Sequence, residues 1–358
     1  LLEAFVIISR TPFRVSFFGG GTDYPSWLAE HGGAVIGTSI NHYCYISCRC
    51  LPPFFQHKHR IAYSKTEHVN SIAEIEHPVV KAVMDYLGFH DQGLEIHHDA
   101  DLPARSGIGS SSTFTVGLLN ALIAFKNARL PTQELAKLAI YVEQEMLNEA
   151  VGSQDQIFAA HGGFNRIDFH RDGKFTLSPL IADPQKIESL QRHCMLFFTG
   201  FSRFASEIAK SQISNMKNNT TTLHRMRAMV DESIGILENP QRDIREFGEL
   251  LHEAWECKRS LSEKVSNDAI DQIYLKAREA GAIGGKLLGA GGGGFILVFA
   301  TPENQDRVKA ALNNLIHIPF RFENQGSQII FHDSSAMSEL KHSQLLSQLA
   351  NGTHLRHV

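Results

Sequence analysis

Apolar positions in the first third of the chain fall into short runs of strand length. Residues 4–9 and 13–18 form two runs, separated at Thr11-Pro12 and closed by Gly19-Gly20-Gly21. Glycine and proline clusters of this kind end elements. Further strands are predicted over 34–40 and 43–50, a weaker one over 61–64, and an alternating one over 93–98. The period then changes. Residues 110–128 are apolar over a stretch too long for a strand, which predicts a largely buried helix. A second helix follows, with Thr132 as N-cap and Leu135, Leu138, Ala139 and Val142 on one face. A short helix is expected over 78–87, and Arg171-Asp172-Gly173 predicts a hairpin between 164–169 and 175–177.

Beyond 183–190 the pattern is mostly helical, over 204–217, 221–238, 243–264 and 268–280. Strands are predicted at 194–199, 295–300, 320–324 and 328–332, with a helix over 303–315. Early strands, a helical stretch and a second strand group imply an α+β chain in two domains, with the seam near 183–200. The expected division is 1–190 for the unit carrying the chemistry, 191–333 for a second unit and 334–358 for a tail.

Composition narrows the partners. A chain of 358 residues with 43% hydrophobic and 20% charged residues is ordinary for a folded protein. A net charge of -4 makes nucleic acid a poor partner. No stretch reaches the ~18 apolar residues of a membrane span. The first ten residues read as a strand rather than a signal peptide, so a cytoplasmic protein is expected. Five cysteines, an odd count, argue against a disulfide framework. Cys44, Cys48 and Cys50 stand at alternating positions of one predicted strand, so they read as small buried side chains rather than as a zinc site.

Three glycine-rich segments carry the candidate chemistry. Pro103-Ala-Arg-Ser-Gly107-Ile-Gly109-Ser110-Ser111-Ser112 opens the long helix. Glycines let backbone approach an anion, the first helical N–H groups point outward, and the hydroxyls add ligands for phosphate oxygens or a cation. The competing reading is a flexible turn with a serine cap. The segment lacks the Gly-Lys-Ser/Thr of a Walker loop and the dinucleotide fingerprint. Gly289 to Gly294 has five glycines in six positions before an apolar strand, an entropic cost that points to a ligand-facing or loop-supporting role. In the third, Arg14 interrupts an apolar strand and needs a partner; Asp23, past Gly20, Gly21 and Thr22, offers a carboxylate to hydroxyls or to Arg14 itself. Glu143 late on a helix and Asp155 on the loop after it are acidic where a helix dipole disfavours acid, unless a bound cation offsets it. Glu145 and Glu149 read as a solvated helix face.

In this order the segments resemble the GHMP kinases, over residues 8 to about 300. The resemblance implies a two-domain GHMP kinase fold, with a ribosomal S5 domain 2-like N-terminal domain and a ferredoxin-like C-terminal domain. It also implies ATP and Mg2+, and a small sugar phosphate as the other partner; a homodimer is left open. Position by position it implies that Pro103, Gly107, Gly109, Ser110, Ser111 and Ser112 wrap the ATP phosphates, and that Ser111 and Glu143 ligate the metal. Asp155 is then the base and Arg14 the cation that polarises the accepting hydroxyl. Gly20, Gly21, Thr22 and Asp23 would meet the sugar, with Gly291 and Gly292 near it. Gly20-Gly21 stands where galactokinases carry Glu-His, and the segment looks more like the heptose 7-phosphate kinases, which act on the anomeric hydroxyl. A 7-phosphate needs extra cations, for which Arg105, Lys174, Arg203 and Lys210 are candidates. The alternatives are a fucokinase-like enzyme on an unphosphorylated sugar, and a catalytically silent ligand-binding homologue.

Overall fold

The computed structural model describes residues 6–200 and 205–332. The tail expected over 334–358 and the candidate Arg203 lie outside the described residues. Thirteen strands are described: β1 (Val6–Phe18), β2 (Gly33–Cys50), β3 (His59–Ala62), β4 (Thr66–Val69), β5 (Leu94–Ala100), β6 (Phe164–Phe169), β7 (Phe175–Pro179), β8 (Cys194–Phe198), β9 (Ala282–Leu287), β10 (Phe295–Ala300), β11 (Ile316–Ile318), β12 (Phe322–Glu323) and β13 (Gln328–His332). They form a nine-stranded sheet, ordered β13-β1-β2-β5-β3-β4 with β12 and β6 attached at β2 and β7 at β6, and a four-stranded sheet, ordered β11-β8-β10-β9.

Two expected breaks are absent. Residues 4–9 and 13–18 belong to one strand, β1, with a register shift between Pro12 and Arg14. Strand β13 pairs only with Ile7 to Arg10, so the missing N–H of Pro12 faces no ladder there. Likewise 34–40 and 43–50 are one strand, β2, whose first half pairs with β6 and whose second half pairs with β5. The hairpin at 171–173 forms as its sequence implies, with Phe169 opposite Phe175.

The helix Ser110–Phe125 is apolar on all sides because it is buried on all sides from Ser112 onward, Asn120 excepted. It packs under the large sheet with Pro78–Tyr86, Thr132–Tyr141 and Gln154–His161. Pro131, not Thr132, occupies the N-cap of Thr132–Tyr141. The core crosses between the sheets, where the Phe247 ring meets Phe17 and Phe18 edge-on with centroids 5.4 and 5.0 Å away. A second core, with Trp255, Phe197, Ile296 and Val298, lies on the smaller sheet.

The small sheet takes its first strand, β8, from Cys194 onward, but not all later strands join it. Strands β12 and β13 leave the small sheet and pair with β2 and β1. Cys44 and Cys48 are fully buried, and all five cysteines are free. Among the described residues no helix is long and apolar enough to cross a membrane.

Candidate active site

Arg14 answers the question its sequence context poses. Its Nε and Nη2 donate to Oδ1 and Oδ2 of Asp155 at 2.8 and 2.7 Å, and Nη1 donates to the carbonyl of Gly107 at 2.7 Å. Asp23, offered by the sequence as an alternative partner, does not make this pair. The guanidinium is 4% exposed and the carboxylate 25%, so the cation is buried while one edge of the acid stays open. Two-point, charge-assisted contact fixes the carboxylate in position and orientation. Asp155 lies in the first turn of the helix Gln154–His161, not on a loop as expected.

The phosphate-loop candidate closes over this pair. Gly109 is the N-cap of Ser110–Phe125 with φ +77°, a left-handed backbone that favours glycine. A Cβ there would stand 3.4 Å from both Arg14 Cγ and Asp155 Oδ2. The bare backbone therefore brings the helix N-terminus against the ion pair, an arrangement suited to an anion. The Ser110 hydroxyl accepts from Arg105 N at 3.1 Å, and Pro103 receives the Ser106 hydroxyl at its carbonyl. Pro103 and Ser111 are exposed.

Three consecutive residues fan out from the next helix start. About 100° of rotation per residue sends them in three directions. Gln154 donates to Asp23 Oδ2 through its backbone at 3.3 Å and its side chain at 3.0 Å; Asp155 meets Arg14; Gln156 donates to Glu143 Oε2 at 2.5 Å. Glu143 sits in a π-helical turn, Val142–Met146, that follows Thr132–Tyr141. Such turns are frequent at functional sites. The same Oε2 accepts from Ser112 at 2.8 Å, while Oε1 is buried and accepts no hydrogen bond, the nearby Thr115 hydroxyl donating to the Ser111 carbonyl at 3.2 Å. Burial pushes the Glu143 carboxyl up to about 7, so a cation beside Oε1 would favour its charged form. The hydroxyl bonded to Glu143 belongs to Ser112, where the sequence pointed to Ser111. Of the two flanking glutamates, Glu145 is exposed as expected, but Glu149 is partly buried and burial raises its carboxyl.

Asp23 is 2% exposed and its Oδ1 accepts from Gly21 N at 3.0 Å. Burial, with the Asp155 charge added, raises its carboxyl above the ordinary range. Thr22 differs from what its motif suggests. Its buried hydroxyl lies 2.8 Å from the Gly19 carbonyl and receives Ala34 N at 3.2 Å, so it pins the turn to β2 rather than facing a ligand. Gly291 and Gly292 are also turned elsewhere: Gly292 N donates to the Val265 carbonyl at 2.8 Å. Contact with the phosphate-loop candidate comes instead from Gly289, where a Cβ would stand 2.5 Å from Gly107 Cα, and from Phe295 N, which donates to the Ser106 carbonyl at 2.9 Å.

Sequence reasoning missed Gln154, Gln156 and two buried lysines. Lys286 donates to the Phe17 carbonyl at 2.8 Å, and Lys258 donates to the Leu287 and Gly289 carbonyls at 2.7 and 2.5 Å. Lys286 carried a signal, a charge set between glycines and leucines. Lys258, in an ordinary amphipathic helix, carried none. Lys174 pairs with Asp172 at the hairpin, and Lys210 is exposed on Ala205–Asn215.

Residues 71–163 match the model of the GHMP kinases N terminal domain, and residues 235–317 that of the GHMP kinases C terminal domain. A D-glycero-alpha-D-manno-heptose 7-phosphate kinase of Campylobacter jejuni is 30% identical over 321 residues, covering 86% of this chain and 93% of that protein. A bifunctional fucokinase/GDP-fucose pyrophosphorylase of Arabidopsis thaliana is 26% identical over 324 residues, 81% of this chain and 29% of that protein. The crystal structure of a D-glycero-D-manno-heptose 1-phosphate kinase from Bacteroides thetaiotaomicron superposes with a TM-score of 0.73 at 26% identity, covering 90% of this chain and 97% of that one. With both domain models matched in order and a 30% identical relative aligned along nearly its whole length, the chain belongs to the GHMP kinases and is an ATP-dependent phosphotransferase.

Proposed function

We propose that this kinase transfers the γ-phosphoryl group of ATP to the anomeric hydroxyl of a heptose 7-phosphate, giving the 1,7-bisphosphate that a nucleotide-heptose route consumes. The observation that carries the kinase reading is the Arg14–Asp155 pair held against Gly107 and Gly109 at the start of a buried helix. The heptose assignment is supported by the Campylobacter relative and by the Gly20-Gly21-Thr22-Asp23 segment.

Asp155 is the general base. Arg14 grips both its oxygens and leaves one edge open, so it receives the hydroxyl proton as the new O–P bond forms. Arg14 also offsets the charge that gathers between acid and phosphate. The Gly107–Ser112 backbone and the first N–H groups of the helix bind the ATP phosphates. Glu143 fits a magnesium ion: one buried carboxylate oxygen lacks a partner and a serine hydroxyl lies beside the other, leaving the remaining ligands to phosphate oxygens and water. Glu143 would hold the ion with Ser111 or Ser112, and the ion when bound neutralises phosphate charge. Asp23, held by Gly21 and Gln154, orients sugar hydroxyls beside Asp155. Phosphoryl transfer needs little beyond this positioning and charge neutralisation.

The two heptose kinase relatives differ by name in the phosphate position, 7 in one and 1 in the other. ATP consumption with Mg2+ on heptose 7-phosphate, heptose 1-phosphate, free heptose and L-fucose separates the readings. Turnover on the 7-phosphate is expected. Turnover on L-fucose alone would favour the fucokinase-like alternative, for which the Arabidopsis relative speaks. Nucleotide binding with no turnover would favour a silent homologue, against which the joint presence of Arg14, Asp155 and Glu143 argues.

A further inference from the structure

Two ammonium groups are buried beside the phosphate loop without a carboxylate partner among the described residues. Lys258 and Lys286 are 7% and 4% exposed, and every hydrogen bond they make ends on a backbone carbonyl. Burying an unpaired ammonium is costly unless something nearby repays it. Burial, and the charges of Lys286 and Arg14, hold the Lys258 ammonium well below its ordinary range. Arg14, Lys258 and Lys286 thus lie on one side of the site, Arg14 paired with Asp155 and neither lysine paired with an acid among the described residues.

The position of Lys258 gives this charge a structural target. It leaves the last turn of Arg245–Ser260 and reaches the end of β9, where its two acceptors, the Leu287 and Gly289 carbonyls, enclose Leu288. Leu288 and Gly289 both touch the phosphate loop. A Cβ on Gly107 would stand 2.5 Å from the Leu288 carbonyl oxygen, and one on Gly289 the same distance from Gly107 Cα. The Gly107 carbonyl in turn accepts from Arg14. A chain of direct contacts thus runs from the Lys258 ammonium through Leu287–Gly289 to Gly107 and the ion pair.

We propose that Lys258 is a positioning residue for nucleotide binding: by clamping the Leu287 and Gly289 carbonyls it sets the backbone that supports the phosphate loop. This rests on the reading of 107–112 as the ATP phosphate loop. The sugar side is held by separate bonds, from Gly21 and Gln154 to Asp23. The effect of losing Lys258 is therefore directed at the nucleotide.

The test is the affinity of the full chain for Mg-ATP, by calorimetry, with KM for ATP and for the sugar measured beside it. Lys258→Met removes two hydrogen bonds at similar length. It is expected to weaken nucleotide binding about tenfold or more and to raise KM for ATP in parallel, with KM for the sugar unchanged. Lys258→Arg keeps the charge and the donors and is expected to recover most of the loss. Lys258→Gln, which keeps a donor but not the charge, serves in the same assay if the Met variant does not fold. A folded Met or Gln variant with wild-type nucleotide affinity overturns the proposal. So does a variant whose melting temperature falls while both KM values move together, since that is a purely structural effect. A wild type that binds no nucleotide overturns the underlying reading and the proposal with it.

Discussion

Glu143 is the residue whose environment is least explicable without a ligand. It is fully buried, accepts two hydrogen bonds on one oxygen and none on the other, and has its carboxyl raised to about 7 by burial. If that oxygen receives magnesium, Glu143→Gln should raise the Mg2+ concentration for half-maximal activity by about tenfold or more, as the loss of metal-site partners does elsewhere. A titration of activity against Mg2+ reads this directly, and an unchanged midpoint would remove Glu143 from the metal site. At this scale the sequence was most legible where chemistry was out of place. A guanidinium in an apolar strand and a carboxylate after an acidic helix end pointed to Arg14 and Asp155, though not to each other. Thr22 was misleading because a hydroxyl next to glycines looks the same whether it faces a ligand or pins a turn; only the neighbouring strand, at Ala34, decides. Gln154 and Gln156 were not legible, since their partners lie 131 and 13 residues away along the chain.

Secondary-structure elements aim these side chains. The start of Gln154–His161 serves Asp23, Arg14 and Glu143 at once, so its position decides whether the proposed sugar, base and metal sites are in register. Strand β9 joins the two sheets in the same region through Lys286, whose ammonium burial and the Arg14 charge push down to about 7 from an ordinary 10.5. Between those values the unfolded chain holds a proton that the folded one has released, so stability rises with pH across the window. The contribution is complete above about 10.5 and is lost as the pH falls through about 7. Denaturant unfolding of wild type and Lys286→Met should show wild type gaining on the variant from about pH 7 to about pH 9.5, by roughly 3 kcal/mol at most. Parallel pH profiles would contradict this. Strand β9 was itself not anticipated. Gly284 is needed there because a Cβ would strike the Gly248 carbonyl of the helix packed on it.

Besides the shared core, the small sheet meets the 103–112 segment through backbone near Gly294. Phe295 N and the Thr199 hydroxyl hold the strands of the small sheet to Ser106 and Gly294, and Gly294 has φ +97° with its Cα hydrogen directed at the Ser106 backbone. A side chain at 294 would collide with that backbone. Gly294→Ala should therefore lower the melting temperature by several degrees and weaken activity further than stability alone explains; a variant with wild-type melting and activity would show that this contact tolerates displacement. The two-domain organisation was legible because strand and helix periods change near the start of β8. The return of β12 and β13 to the first sheet was not, since short strands carry no mark of the partner they will join.

The central claim is that Asp155, gripped by Arg14 at the phosphate loop, takes the proton in ATP-dependent phosphorylation of a heptose phosphate. The most direct measurement is ATP consumption on heptose 7-phosphate by wild type and Asp155→Asn, with the new phosphate located on the sugar by phosphorus NMR. The account predicts transfer to the anomeric oxygen by wild type, and a loss in kcat of about a hundredfold or more in the variant with nucleotide affinity nearly retained. Wild-type turnover that survives Asp155→Asn undiminished, or no transfer to this sugar at all, would contradict it.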